Sequence, residues 1–143
     1  NHFSKAEIKE RSILYILLNH LNSVKNKLED LLEINFTNDQ NQNLKQDIIN
    51  FTKTKDFLDK DKSDIGKKYK SLISDIEKDT NLKNILSKKD DSEREETLID
   101  LIAEIKEMNQ LKQIEFLENK VAKNLDESSY SELIKLKSQL NRQ

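Results

Sequence analysis

The sequence has no cysteine, no proline and a single glycine, Gly66. Without cysteine the chain forms no disulfide, has no thiol nucleophile and offers no thiolate to a metal. Glycine and proline supply the backbone angles of tight turns, on which β hairpins depend. Valine, a common strand-forming residue, occurs only at Val24 and Val121. These absences favour an all-α protein.

A long apolar run and an excess of one charge are also missing. The longest apolar run, residues 13–18, has six residues, against the roughly 18 that a membrane-spanning helix needs. Lys and Arg total 25 against 27 Asp and Glu, a formal net charge of −2, whereas nucleic-acid-binding domains usually carry a basic surface and a high pI. We therefore expect a cytoplasmic protein that binds neither membranes nor nucleic acid directly.

No motif in the sequence indicates catalysis or a bound cofactor. Residues 59–66, DKDKSDIG, resemble the start of a calcium-binding loop, but Asp64 and Lys70 stand where that loop requires glycine and glutamate. The two histidines, His2 and His20, have no neighbouring cysteine or histidine with metal-ligand spacing. We interpret His20 as the residue that ends the first helix, and we expect this chain to hold no catalytic residue, cofactor or metal.

Apolar residues at three-to-four spacing predict a series of amphipathic helices. Residues 4–7, SKAE, form a capping-box pattern that predicts the start of the first helix, and residues 92–95, SERE, repeat it at the start of the longest one. The longest helix is predicted to run to about Asn124, which gives roughly 45 Å at 1.5 Å per residue. A break between two shorter helices is expected at Gly66.

The last apolar stripe predicts a helix that folds back on the far half of the longest one. The short link NLDESS leaves room only for an antiparallel hairpin. We therefore predict a multi-helix bundle in residues 1–107 and a projecting C-terminal helical hairpin in residues 108–143, joined by the long helix. Because a two-helix hairpin buries one seam, some of its apolar side chains stay exposed, which predicts a protein-binding surface.

Two segments of the sequence each carry a distinct pattern of residues, one in the first half of the chain and one near its end. In the first, residues 10–51, a glutamate precedes a helix of the form IL-x-x-LL-x-H, and a short loop with a phenylalanine leads to a helix with paired isoleucines. Those places are taken by Glu10, Ile13, Leu14, Leu17, Leu18, His20, Ile34, Asn35, Phe36, Ile48 and Ile49. In the second, residues 97–140, a long helix and a short acidic turn precede an L-x-x-L-x-x-x-L helix, with Leu133, Leu136 and Leu140.

In this order, the two segments resemble the C-terminal helicase-binding domain of bacterial DNA primase. The resemblance covers nearly the whole chain from about Ser4, except residues 53–91, and departs from the family at Leu21, where proline is usual. The family's domain is structurally similar to the N-terminal domain of the replicative helicase. The resemblance implies a domain that docks on the N-terminal collar of the helicase hexamer, recruits primase to the replication fork and modulates helicase activity.

The resemblance also implies which residues make the contact. It assigns the interface to the outward side of the hairpin and the C-terminal end, namely Phe116, Tyr130, Ile134, Leu140 and Arg142. It further implies a bacterial protein whose isolated domain is monomeric. Because the chain begins at Asn1 rather than methionine, we expect a piece of a longer protein, with the catalytic primase modules upstream.

Three other functions stay open from the sequence. The N-terminal domain of the replicative helicase itself shares the early pattern, and it would self-associate. A generic helical adaptor or coiled coil would show sustained heptads with paired flanking charges, which residues 53–91 lack. A nucleic-acid-binding module is disfavoured by the pI of about 5.8.

Overall fold

Helices make up nearly all of the chain that the structure describes. The computed structural model describes residues 2–53, 59–124 and 127–141, and these ranges contain no β-strand. The helices are α1 (Lys5–Asn19), a 3₁₀ segment (Leu21–Lys27), α2 (Leu28–Leu32), α3 (Asp39–Lys53), α4 (Asp59–Lys68), α5 (Lys70–Glu77), α6 (Thr80–Leu86), α7 (Asp91–Asn124) and α8 (Glu127–Asn141). The prediction of an all-α, multi-helix protein is confirmed. No helix in the described ranges combines the length and apolar character needed to cross a membrane.

Helix α1 is the centre of the bundle. It begins with the predicted capping box, in which the Ser4 hydroxyl accepts from the Glu7 amide at 3.1 Å and the Glu7 carboxylate accepts from the Ser4 amide at 3.2 Å. It ends at His20, whose amide donates to the Ile16 carbonyl. The apolar run of residues 13–18 therefore forms the middle of a helix that contacts α3, α5, α6 and α7.

The bundle core is one cluster of buried apolar side chains that runs from Ile13 in α1 to Ile105 in α7. Ile13, Leu14 and Ile16 are each 0 % exposed. Burial of side chains of this size stabilises a fold by about 1.5–3 kcal/mol each. A helix that is apolar on nearly all sides is stable only where other helices surround it, which explains why α1 lies inside.

A buried carboxylate ties α1 to the turn between α2 and α3. Glu10 is 1 % exposed. Its carboxylate accepts from the Thr37 amide at 2.5 Å, the Thr37 hydroxyl at 2.9 Å, the Asn38 amide at 3.3 Å and the Asn41 side-chain amide at 3.1 Å. Because a buried charge is costly unless it is fully hydrogen-bonded, these four donors stabilise Glu10 in its position.

A buried lysine of α3 also forms hydrogen bonds with this turn. Lys45 in α3 is 0 % exposed, and its ammonium donates to the carbonyls of Leu31 at 2.9 Å and Ile34 at 2.5 Å. It also lies 4.7 Å from the centre of the buried Phe36 ring. Burial lowers the pKa of Lys45 to about 8, while the Glu10 carboxylate acts in the opposite direction. Lys45 thus satisfies one carbonyl in the last turn of α2 and one in the turn that follows it.

The start of α7 differs from the prediction. The helix begins at Asp91, and its capping box is formed by Asp90 and Glu93, whose side chains accept from each other's amides at 2.8 and 3.1 Å. The predicted box at residues 92–95 is therefore wrong. Asp90 and Glu93 are also three residues apart, so the observed box is a local pattern too, and the Asp91 carboxylate next to it accepts from the Ser23 hydroxyl at 2.7 Å.

The expected break at Gly66 is also wrong. Gly66 lies inside α4, and a Cβ added to it would meet nothing within 4 Å. The break falls at Tyr69, whose backbone has φ −113° and ψ 29°. Tyr69 is 9 % exposed, and its hydroxyl donates to Asp47 of α3 at 2.5 Å. A tertiary anchor, rather than a flexible residue, sets the position of this break.

Replacing Glu10 by alanine should lower the free energy of unfolding by about 3 kcal/mol, because the buried donors of the turn lose their acceptor. The matched variant Ser4→Ala removes only the exposed N-cap hydroxyl of the same helix and should cost about 1 kcal/mol. Urea denaturation followed by circular dichroism measures both. Equal losses in the two variants would show that the Glu10 network does not stabilise the turn.

The Lys45 ammonium should make stability depend on pH. Its pKa is about 8 in the folded chain, against an ordinary value of 10.5. At a pH between these two values the unfolded chain therefore binds more protons than the folded chain. The free energy of unfolding should therefore rise from about pH 7.5 to about pH 9.5, by an amount on the order of 2 kcal/mol. The measurement is the difference between the native chain and Lys45→Met in urea denaturation at each pH. A difference that stays constant across this range would contradict the expectation.

Candidate protein-docking site

A second, smaller core joins α8 to the second half of α7. Ile114 and Leu117 of α7 and Leu133 of α8 are buried together, with three partly buried residues packed against them: Val121, Leu136 and Leu140. The bundle core ends at Ile105, so the predicted division at residues 107/108 falls between the two clusters. The division into subdomains and the projection of the α7–α8 pair stay predictions.

The stretch of α7 between the two clusters is attached to the α2–α3 turn. The Asn109 side chain accepts from the Asn35 amide and donates to the Asn35 carbonyl, both at 3.0 Å. Lys9 of α1 pairs with Glu104 at 2.6 Å one turn earlier. The turn that Glu10 holds is therefore also the place where α7 leaves the bundle core.

Three of the predicted contact residues are exposed apolar side chains. Phe116 is 61 % exposed, Tyr130 54 % and Ile134 51 %. Leu140 is half-buried against the α7–α8 core, so it offers less surface to a partner. Arg142 lies outside the described residues. Leu111, 47 % exposed, was not singled out in the sequence, although it belongs to the apolar stripe of α7.

One salt bridge shows which side chains share a side of the α7–α8 pair. Glu118 of α7 pairs with Lys137 of α8 at 3.2 Å. Tyr130 precedes Lys137 by seven residues, which places the two side chains about 20° apart around α8. Ile134 precedes Lys137 by three residues and lies about 60° from it. Leu111 precedes Glu118 by seven residues, again about 20° apart. We call this side, with Leu111, Tyr130 and Ile134 around the salt bridge, the Tyr130 face.

Phe116 lies on the opposite side of the pair. It precedes Glu118 by two residues, so the two side chains point about 160° apart around α7. We call the side that it shares with Lys112, Lys120 and Lys123 the Phe116 face. The predicted contact residues therefore divide between two faces, and this division depends on a pairing between helices that spacing along one helix does not give.

His20 lies at the end of α1, as predicted, and lines a surface depression with Ser23 and Asp91. It is half-buried, and burial and the nearby Arg94 lower its pKa. Its Nε2 is buried without a hydrogen-bond partner among the described residues. Within those residues, no group of three or more His, Asp or Glu side chains is arranged to hold a metal ion. The features that stand out are the two apolar faces.

No family model matches the chain, and neither does any curated protein or solved structure. The resemblance to the primase domain therefore depends on the sequence pattern alone. Any function must be argued from that pattern together with the surface of the α7–α8 pair.

Replacing Leu117 by alanine should loosen α8 without unfolding the bundle. Leu117 is 2 % exposed and is central to a small core, so the cavity should cost at least about 2 kcal/mol. Amide hydrogen exchange in α8 should then become at least about tenfold faster, while exchange in the middle of α1 stays unchanged. The neighbouring variant Phe116→Ala removes an exposed ring and should leave both rates as they are. Equal acceleration in α1 and α8 would show that the two cores unfold as one unit.

Proposed function

We propose that this chain is the helicase-docking domain of a bacterial DNA primase. In this proposal, the domain binds the N-terminal domains of the replicative helicase, brings primase to the replication fork and modulates helicase activity. The observation that carries it is the exposed apolar surface of the Tyr130 face, which lies at the end of the chain that the primase resemblance assigns to the contact.

The chemistry of the Tyr130 face suits a protein partner. Tyr130 and Ile134 are one helical turn apart, and each is more than half exposed, so they form a continuous apolar ridge on α8. Scattered exposed aliphatic side chains are common on protein surfaces, but an aromatic and an aliphatic residue at one-turn spacing form a patch of the kind that anchors interfaces. Tyrosine is enriched among the residues that dominate binding energy.

The surroundings of the ridge favour a reversible complex. The Glu118–Lys137 salt bridge borders the ridge with charged groups, and Leu111 lies about 10 Å further along α7 from Glu118. An apolar centre with a charged rim is the usual anatomy of a non-obligate interface. Reversible docking is the behaviour expected of a primase domain that meets the helicase repeatedly at a moving fork.

The double variant Tyr130→Ala with Ile134→Ala should weaken binding to the replicative helicase of the same genome by at least about tenfold. Both side chains are more than half exposed, so circular dichroism should show an unchanged helical fold. Ile85→Ala is the matched control, because Ile85 is 60 % exposed and belongs to α6, outside the Tyr130 face. Calorimetric titration with the helicase hexamer gives the affinities, and the helicase ATPase rate reports the functional effect.

Three other outcomes of the titration would each contradict a different part of the proposal. Unchanged affinity in the double variant would move the interface away from the Tyr130 face. Absence of binding by the native chain would reject the primase assignment. Self-association of the chain into rings would instead favour the N-terminal domain of the helicase itself.

A further inference from the structure

The Phe116 face combines an exposed aromatic ring with a set of lysines. Phe116 is 61 % exposed, the highest exposure among the large apolar side chains described. Lys112 and Lys120 lie one turn before and after it, and Lys123 lies one turn further. Phe116, Asn119, Lys120 and Lys123 line a shallow depression of about 420 Å³. Phe116 and two of the lysines, Lys120 and Lys123, therefore line one depression on the surface.

The lysines of this face outnumber the carboxylates near it, which are Glu115, three residues after Lys112, and Glu132 of α8, about 140° around that helix from Lys137. The acidic residues of α7 between Met108 and Asn124 are Glu115 and Glu118, which lie about 100° and about 160° around the helix from Phe116. Among the described residues, the lysines of this face take part in no salt bridge. A local positive surface with an apolar centre thus exists on a chain whose net charge is −2.

We propose that the Phe116 face is a second docking surface, and that its occupant is an amphipathic helix of another protein with an apolar side chain flanked by carboxylates. The apolar side chain would cover the Phe116 ring and remove it from water. Carboxylates one turn before and after that side chain would meet Lys112 and Lys120, because helical positions four apart repeat at a similar distance on both helices.

A protein helix fits this surface better than a nucleic acid. Aromatic rings beside basic groups can stack nucleic acid bases, but such sites follow a groove that is basic along the whole strand. Here the lysines occupy one face of one helix, and the net charge of −2 repels a polyanion at long range. A short acidic segment needs only the local charges.

The inference does not depend on the proposed helicase contact. Tyr130 and Ile134 lie on the other side of the α7–α8 pair, so the two faces can be occupied and mutated separately. A partner on the Phe116 face would leave the Tyr130 face free.

The test uses two synthetic alanine-based helical peptides that differ only at the charged positions. One has a central leucine with glutamates four residues before and after it, and the other has lysines at those positions. Each is titrated into the isotopically labelled chain at physiological ionic strength and followed by amide NMR shifts. We expect the acidic peptide to shift signals around Phe116 and Lys120, and the basic peptide to shift none.

Three variants make the test specific. Phe116→Ala and the charge reversal Lys120→Glu with Lys123→Glu should each weaken binding of the acidic peptide by roughly tenfold. Both changes are at exposed positions, so circular dichroism should remain that of the native chain. Tyr130→Ala with Ile134→Ala, the matched control on the other face, should bind the acidic peptide as the native chain does.

Any of three results would overturn the inference. The acidic peptide could cause no shift up to millimolar concentration, the basic peptide could cause equal shifts, or the Tyr130 and Ile134 variant could lose binding. Equal or stronger shifts around Phe116 with a thymidine oligonucleotide would assign the face to nucleic acid instead. Because no helicase is present, none of these results bears on the proposed helicase contact.

Discussion

The fold depends on how the turn between α2 and α3 satisfies its buried backbone groups. The turn carries Ile34 and Phe36 into the core, and backbone groups of this segment bond to two buried side chains, Glu10 and Lys45. A buried peptide group without a partner costs about as much as a lost hydrogen bond. Glu10 accepts from the amides of the turn and Lys45 donates to carbonyls beside it. One charge from α1 and one from α3 thus hold the turn from both sides.

The same turn also contacts the stretch of α7 between the two cores. Asn35, within the turn, exchanges two hydrogen bonds with Asn109 of α7, just after the bundle core ends at Ile105. The second half of α7 therefore starts from a point held by the bundle, and within the described residues α8 packs on that half through a small core. A large core and a small helical pair with exposed apolar side chains thus follow each other along α7.

The candidate site could be predicted from the sequence only in part. Apolar residues beyond those needed for one seam indicated an exposed surface on the α7–α8 pair, and Phe116, Tyr130 and Ile134 are indeed exposed. Their division between two faces was not predictable, because it depends on the relative rotation of α7 and α8 about their axes. The Glu118–Lys137 salt bridge records that rotation, and nothing in the spacing along either helix specifies it.

The sequence by itself determined the all-α class, the capping box at Ser4 and the reach of α7 to Asn124. These features depend on propensities and on side chains three or four residues apart, which are local in the chain. Only the tertiary structure decided the break at Tyr69, the burial of Lys45 and the two faces of the α7–α8 pair. Each of those depends on partners far apart in the sequence, since a buried charge or a helix rotation is set by the groups that pack against it.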